Sequence, residues 1–288
     1  MMDILVYGTI NGAILAVMAL GFALVYGVSR LPNFAHGALY ILTGYIAWAL
    51  MNKMGLNHGL AVVISIVTVT LVGALLYRFL LIRVRGMPIS EIMASFAIGL
   101  AIMESLRWRG IGQAYILPPF FEGVVLIGDI PVDLQRLVIL AMCGSLALFL
   151  WFFTRHTKIG LSMSAIAQDK HAAMMLGMDA DRTASIAMAF GSALAGLAAV
   201  VVLPLGNITV ETGYEVLIYA VAVAATGGLG SWPGTLLAAF IIGFAQTGAA
   251  VYMAPQYQMV VIFLAIILIF MIRPSGLFGR QNELKERV

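Results

Sequence analysis

The chain has 288 residues, of which 62% are hydrophobic and only 10% are charged, and its mean hydropathy is +1.03. A soluble domain carries about 25% charged residues, so this composition cannot cover a water-facing surface and predicts a polytopic membrane protein. The net charge of +3 says little about nucleic acid, because the basic residues are spread over loops, and no nucleic-acid partner is expected. The single cysteine, Cys143, excludes an internal disulfide and a cysteine-based metal cluster.

Nine apolar segments follow one another along the chain, and most reach the length of about 20 residues that a helix needs to cross the hydrocarbon core. They cover 4–29, 34–52, 59–82, 89–108, 134–153, 183–204, 214–229, 233–252 and 257–272. They show no alternation of period two, so helices are expected rather than a barrel. Because 34–52 and 214–229 border polar or glycine-rich stretches, we expect about nine spans within a range of eight to ten. The expected fold is an all-α helical bundle forming one transmembrane domain over 1–288.

The distribution of Lys and Arg predicts the orientation. The start, MMDILVYG, lacks the basic region of a signal peptide, so the first segment is expected to be a retained helix. With nine spans and the N-terminus outside, twelve of the 16 basic residues fall on the cytoplasmic side, together with the C-terminus, as the positive-inside rule requires. The inner set is Arg30, Arg78, Arg83, Arg85, Arg155, Lys158, Lys170, Arg182, Arg273, Arg280, Lys285 and Arg287, and the outer set is Lys53, Arg107, Arg109 and Arg136.

Two loops stand out between the apolar segments. The external loop, 110–133, contains Pro118-Pro119 and VVLIGDI, and we expect a small structured lid that includes a short hairpin. It could contact a docking partner or merely tie two helices together. The cytoplasmic loop, 154–181, is the longest polar interruption on its side of the chain.

Within 154–181 the residues predict a pair of short helices. Ser162 and Ser164 could cap the first, which opens near Gly160, and Asp169 stands where an N-cap should begin the second. Gly177 stands where a left-handed residue would end it. The compact apolar face of the second helix consists of Ala172, Ala173, Met175 and Leu176. The alternative is an ordinary loop with one amphipathic turn.

No catalytic constellation emerges, so we do not expect an enzyme. His36, His58, His156 and His171 show no HExxH spacing, and the chain has no GxxxxGK[ST] phosphate loop. Any ATP hydrolysis would have to come from another subunit. Glu91 lies in the first turn of its predicted helix, where the dipole favours an anion, and Glu104 stands three residues before Arg107, which predicts a local pair. The lack of a central charge argues against an ion-coupled carrier.

Two glycine-bearing polar turns precede helices with small residues, which allow close helix packing. One runs from Asn33 to Gly37 and leads to Gly44, and the other, 227–234, leads to Gly243. One interpretation is that polar residues near these turns border a substrate pathway. Those residues are Asn33, His36, Thr43, Thr226 and Gln246. For any one of them, a hydrogen bond between neighbouring helices is the more economical explanation.

At this point the chain resembles the membrane-spanning permease subunits of bacterial ATP-driven importers for branched-chain amino acids. The resemblance covers nearly the whole chain and is carried by YGVSRLPNFAHGALYILTGY, TKIGLSMSAIAQDKHAAMMLGMDADR, GGLGSWPGTLLAAFIIG and IRPSGLFG, in this order. It implies that 154–181 docks into a cleft of the cytoplasmic ATPase, through Gly160, Ala165, Asp169, Ala172, Ala173 and Gly177. Family members often carry arginines where Leu161 and Ser164 stand here, so no charge contact with the ATPase is expected at those positions.

The resemblance also implies the assembly and the mechanism. The expected partners are a second, homologous permease, identical or different, two ATPase subunits that hydrolyse ATP, an external substrate-binding protein and membrane lipid. The location would be the bacterial inner membrane, and the chain itself would bind no cofactor or metal. ATP binding would draw the docked helices together and open the pathway outward, and hydrolysis would return it to the cytoplasm. Related permeases serve urea, short amides or small aromatic acids, so the substrate stays open, and a carrier working alone is a further alternative.

Overall fold

The computed structural model describes residues 2–30, 32–108, 115–253 and 255–279. Within them lie eleven α-helices and one β-hairpin. The helices are α1 (Met2–Ser29), α2 (His36–Met54), α3 (His58–Phe79), α4 (Pro88–Trp108), α5 (Leu134–His156), α6 (Lys158–Gln168), α7 (Lys170–Met175), α8 (Ala180–Val202), α9 (Val210–Gly227), α10 (Trp232–Tyr252) and α11 (Gln258–Ile272). The hairpin consists of β1 (Val124–Ile127) and β2 (Ile130–Asp133).

Each of the nine predicted apolar segments contains a helix, which confirms the helical architecture. Six helices are long and apolar enough to cross a membrane: Met2–Ser29, His58–Val84, Ile89–Trp108, Leu134–His156, Ala180–Leu205 and Trp232–Tyr252. Helix α11 is apolar but has only 15 residues, and α2 and α9 are not among the six. The described part of the chain thus supports a multi-pass membrane protein, while the count of nine crossings stays a prediction.

Helix α1 lies at the centre of the bundle, where it packs against α5, α8, α9 and α10. Its middle is made of small and apolar residues that are completely buried, including Ala16, Leu20 and Phe22. By contrast, α3, α4, α5 and α11 expose large apolar side chains along their length, as helices that face lipid do. The chain therefore surrounds the buried helices α1 and α8 with others that form the apolar outer surface.

Small residues let the central helices approach closely, as the two glycine-bearing segments predict. A Cβ atom on Gly243 of α10 would lie 2.3 Å from the backbone nitrogen of Gly12 in α1. Likewise, a Cβ on Gly37 of α2 would lie 2.0 Å from the carbonyl oxygen of Gly213 in α9. Any side chain at these positions would push two helices apart, so the packing depends on glycine here.

The 115–133 loop is fastened to the helices and contains the expected hairpin. Strand β1 pairs antiparallel with β2, from Val124 opposite Asp133 to Ile127 opposite Ile130. The buried Gln135 amide donates to the Val201 carbonyl at 2.7 Å and accepts from the Phe120 N–H at 2.9 Å. The remaining residues of the predicted loop, 110–114, and the tail 281–288 lie outside the described residues, as do Arg109, Arg280, Lys285 and Arg287.

Candidate functional site

The 154–181 loop forms two short helices that meet at Asp169, as predicted. The Asp169 carboxylate accepts a hydrogen bond from the Ala172 N–H at 2.9 Å and so caps the N-terminus of α7. The cap of α6 differs from the prediction, because Thr157 accepts from the Gly160 N–H at 3.0 Å. Ser162 instead donates to the Lys158 carbonyl at 2.9 Å within the same helix. The expectation that Ser162 or Ser164 caps α6 is therefore wrong.

Gly177 ends α7 in the conformation predicted for it. Its φ angle is +81°, in the left-handed region that favours glycine. Its N–H donates to the Met174 carbonyl at 2.9 Å, and the Met178 N–H donates to the Ala173 carbonyl at 3.1 Å, which satisfies the last carbonyls of the helix. Immediately afterwards Asp179 caps α8. Helix α7 is thus a six-residue unit with a defined start and end.

The two alanines of α7 lie on different faces, which corrects the expectation of a shared apolar face. Ala173 is buried among residues of its own chain, whereas Ala172 is exposed. Met175 and Leu176 are 89% and 78% exposed, and Met174, which sequence reasoning overlooked, is 40% exposed. The outward surface of the corner therefore combines a small residue, Ala172, with three large apolar side chains. We call Ala172, Met174, Met175 and Leu176 the α7 apolar surface.

Gly160 and Ala165 both lie on α6, the helix that precedes α7. A Cβ atom on Gly160 would lie 2.0 Å from the Phe153 carbonyl oxygen, in the last turn of α5. Gly160 therefore lets α6 fold back against the end of α5. Ala165 is half-buried on the same helix. Gly160 thus positions α6, which also exposes the apolar Leu161. Docking through Gly160 and Ala165 stays a prediction.

The five predicted pathway residues are all buried. In the part of the chain that the structure describes, their side chains form no hydrogen bonds with one another. The His36 ring is in hydrogen-bond contact with the Met18 carbonyl of α1 at 2.9 Å. The Thr43 hydroxyl donates to the Leu39 carbonyl of its own helix at 2.8 Å. The Gln246 amide donates to the Gln258 carbonyl at 3.4 Å. In each contact, a polar side chain forms a hydrogen bond with a backbone carbonyl of its own helix or of a neighbouring helix. Such bonds between helices were the more economical explanation for these buried polar residues.

Asn33 lines a separate small cavity that sequence reasoning did not assemble. Its side chain accepts from the Ala35 N–H at 3.1 Å, and it lines a cavity with Tyr77, Glu91 and Ser95 at the ends of α1, α3 and α4. Glu91 accepts from the Gly86 N–H at 2.7 Å, at the N-terminus of α4 where an anion was expected. The only signal in the sequence was a set of polar residues at the ends of three separate segments. Thr226 lies elsewhere, with its backbone carbonyl accepting from the Leu277 N–H at 2.9 Å.

Ion pairs tie helices together at both ends of the bundle. Arg107 donates to Glu104 at 2.7 Å, the predicted local pair, and also to Glu211 of α9 at 3.3 Å. At the end that carries α6 and α7, Arg85 pairs with Asp181 in the first turn of α8. No group of three or more His, Cys, Asp or Glu residues that could hold a metal ion occurs in the described ranges. The geometry is that of a packed membrane bundle with a protruding two-helix corner.

Comparison with known proteins decides the family. Residues 4–270 match the family described as branched-chain amino acid transport system, permease component. The chain belongs to this family. The LivH permease of the high-affinity branched-chain amino acid transport system of Escherichia coli K12 is 28% identical over 290 residues, which cover 96% of this chain and 94% of LivH. BraD of Pseudomonas aeruginosa PAO1, named for the same kind of system, is 25% identical over 96% of this chain and 95% of BraD.

Similarity extends beyond amino-acid permeases. The ribose import permease RbsC of Escherichia coli K12 is 26% identical over 282 residues, which cover 88% of this chain and 80% of RbsC. Among solved structures, PsaBC from Streptococcus pneumoniae in complex with Fab matches with a TM-score of 0.51 at 13% identity and covers 98% of this chain and 95% of that one. The structural match concerns the fold alone. The chain therefore shares its fold with PsaBC.

Proposed function

We propose that the chain is the permease subunit of an ATP-driven importer that moves branched-chain amino acids into the cytoplasm. The family match over residues 4–270 and the names of LivH and BraD support this solute class. Sequence similarity also extends to RbsC, which is named as a permease for a different solute, ribose. Urea, short amides and small aromatic acids are therefore the alternative substrates, and the external binding protein would select among them.

The α7 apolar surface carries the coupling part of the proposal. Helix α7 is fixed at both ends by Asp169 and Gly177, and it exposes Met175 and Leu176 beside the small Ala172. Such a surface on a polar loop outside the apolar helices favours burial against another protein. In our proposal it enters a cleft of a cytoplasmic ATPase, and the ATPase motion reaches the bundle through α6 and α8.

The proposed importer also implies a membrane topology and a set of partner subunits. The chain would cross the bacterial inner membrane about nine times, with its N-terminus outside, its C-terminus and 154–181 in the cytoplasm, and 110–133 outside. A second homologous permease would complete the pathway. Two ATPase subunits would supply the hydrolysis, since the sequence holds no phosphate-binding loop of the GxxxxGK[ST] type. A substrate-binding protein would deliver the solute from outside.

Reconstitution tests this proposal. Vesicles containing the chain, its partner permease and the ATPases, with binding protein added on the opposite face from ATP, should accumulate leucine only when ATP and binding protein are both present. Vesicles containing the chain alone should show no saturable uptake under an ion gradient. Uptake by the chain alone would favour the carrier alternative and contradict the proposal. Uptake of urea or benzoate in place of leucine by the full assembly would reassign the substrate.

A further inference from the structure

Arg30 directly follows the central helix and has a backbone conformation that is uncommon for its residue type. Its φ angle is 60°, and among the described residues it is the non-glycine residue with a positive φ. Its N–H donates to the Tyr26 carbonyl at 2.8 Å, which closes the last turn of α1. Glycine is the usual residue at such a position, because it adopts left-handed angles without steric cost. Arginine bears a steric cost here that glycine would avoid, so we expect its side chain to make a contact that offsets this cost.

The Arg30 side chain reaches the corner between α6 and α7. Its guanidinium donates a hydrogen bond to the Ala167 carbonyl, in the last turn of α6. The last four carbonyls of a helix lack partners within the helix, and a positive charge is favoured near them. Ala167 stands two residues before Asp169, the cap of α7. The contact therefore holds the corner that presents the α7 apolar surface.

On its other side, the end of α1 is in close backbone contact with the turn between α9 and α10. A Cβ atom on Gly27 would lie 3.1 Å from the Gly230 carbonyl oxygen, so the two backbones nearly touch. The same turn lies against the segment after α11, where the Phe278 N–H donates to the Gly227 carbonyl at 3.0 Å. No flexible side chain separates these backbones, so a displacement of the end of α1 would shift the turn with it.

The geometry points to Arg30 as a positioning residue that transmits movement of the docked α6–α7 corner to the inner end of α1, and from there to the α9–α10 turn. This inference rests on the proposed docking of α7. It assigns Arg30 a place in the coupling path without any contact with the ATPase or with the solute. Loss of the side chain should therefore leave docking intact and weaken the link between ATP hydrolysis and transport.

The test compares Arg30→Gly with the native chain in the full reconstituted assembly. Glycine preserves the left-handed backbone and removes the guanidinium, so the substitution isolates the side chain. We expect the ATPases to co-purify and hydrolyse ATP, while the solute transported per ATP falls by about tenfold or more, since the charge-assisted hydrogen bond to Ala167 is lost. Arg30→Lys, which keeps a charged donor, should recover part of the ratio. Arg83→Ala is the matched control, because Arg83 is exposed and its side chain makes no hydrogen bond or ion pair with the described residues.

Two results would overturn the inference. One is an unchanged transport-to-ATP ratio in Arg30→Gly, and the other is loss of ATPase binding together with hydrolysis, which would make Arg30 part of the docking surface. If Arg30→Gly reaches the membrane in reduced amounts, Arg30→Asn gives the same test, since asparagine tolerates left-handed angles and is too short to reach Ala167. Ala172→Asp, measured in parallel, distinguishes failure of the proposed docking from failure of the inference about Arg30. If that variant keeps its ATPases and transports normally, the proposed docking itself is contradicted.

Discussion

Ala172→Asp introduces one carboxylate into the surface that we propose enters the ATPase. Ala172 is exposed, and it stands three residues after the capping Asp169, in the first turn of α7. An acidic residue in the first turn of a helix interacts favourably with the helix dipole. The substitution should therefore leave α7 folded within its own chain. Any loss of function then reports on what the surface contacts.

The size of the effect follows from desolvation. A carboxylate that becomes buried in a protein contact without a partner costs about 3–5 kcal/mol. Since every 1.4 kcal/mol corresponds to about a tenfold change in affinity, ATPase binding at this corner should weaken by at least about a hundredfold. The change lies outside the six candidate spans, so the amount of protein in the membrane should stay normal. Uptake and substrate-stimulated ATP hydrolysis should be lost together.

The assay is co-purification of the ATPases with the tagged permease, followed by uptake and ATP hydrolysis in vesicles. Ala172→Ser is the matched control, because it changes the same position without adding a charge or much volume. It should keep more than half of the native uptake. If Ala172→Asp retains its ATPases and transports at the native rate, 154–181 is only a connecting loop, and our reasoning about the α7 apolar surface is refuted.

Three further predictions concern the same corner and the topology. Gly177→Val should uncouple transport, since a β-branched residue at φ +81° costs about 1–2 kcal/mol, whereas Gly177→Asn should transport normally; equal uptake by both would contradict this. Asp169→Ala should destabilise α7 by about 1 kcal/mol and lower uptake mildly, and Asp169→Asn should restore it; an unchanged alanine variant would show that the cap is dispensable. In a background with Cys143 replaced, an impermeant thiol reagent applied to intact cells should label Gly123→Cys and spare Gln168→Cys, and the reverse pattern would invert the topology.

The sequence predicts those features that depend on neighbouring residues. The nine apolar segments contain helices, because a backbone in lipid must make its hydrogen bonds within its own segment. The length and apolar composition of a segment therefore predict a helix. Asp169 and Gly177 cap α7 as predicted, because capping involves residues three or four positions apart. The pair between Glu104 and Arg107 was predictable for the same reason.

Features that depend on tertiary packing were not accessible from one sequence. Ala172 and Ala173 look equivalent along the chain, and only the fold of α7 against the bundle buries one and exposes the other. Thr157 replaces the predicted serines as the cap of α6, because the chain bends one turn earlier than the serine positions suggest. The contact of Arg30 with Ala167 joins residues 137 positions apart, and no local pattern announces it.

Cysteine cross-linking between the permease and its ATPase tests the proposed coupling most directly. Met175→Cys places a thiol on a side chain that is 89% exposed in the α7 apolar surface, and Ala173→Cys places one two residues away on the buried face. With Cys143 replaced and single cysteines introduced into the wall of the ATPase cleft, oxidation should join Met175→Cys to the ATPase and leave Ala173→Cys unjoined. The yield should change when ATP is bound. Absence of a cross-link from Met175→Cys at every cleft position, in an assembly that still transports, would contradict docking through α7.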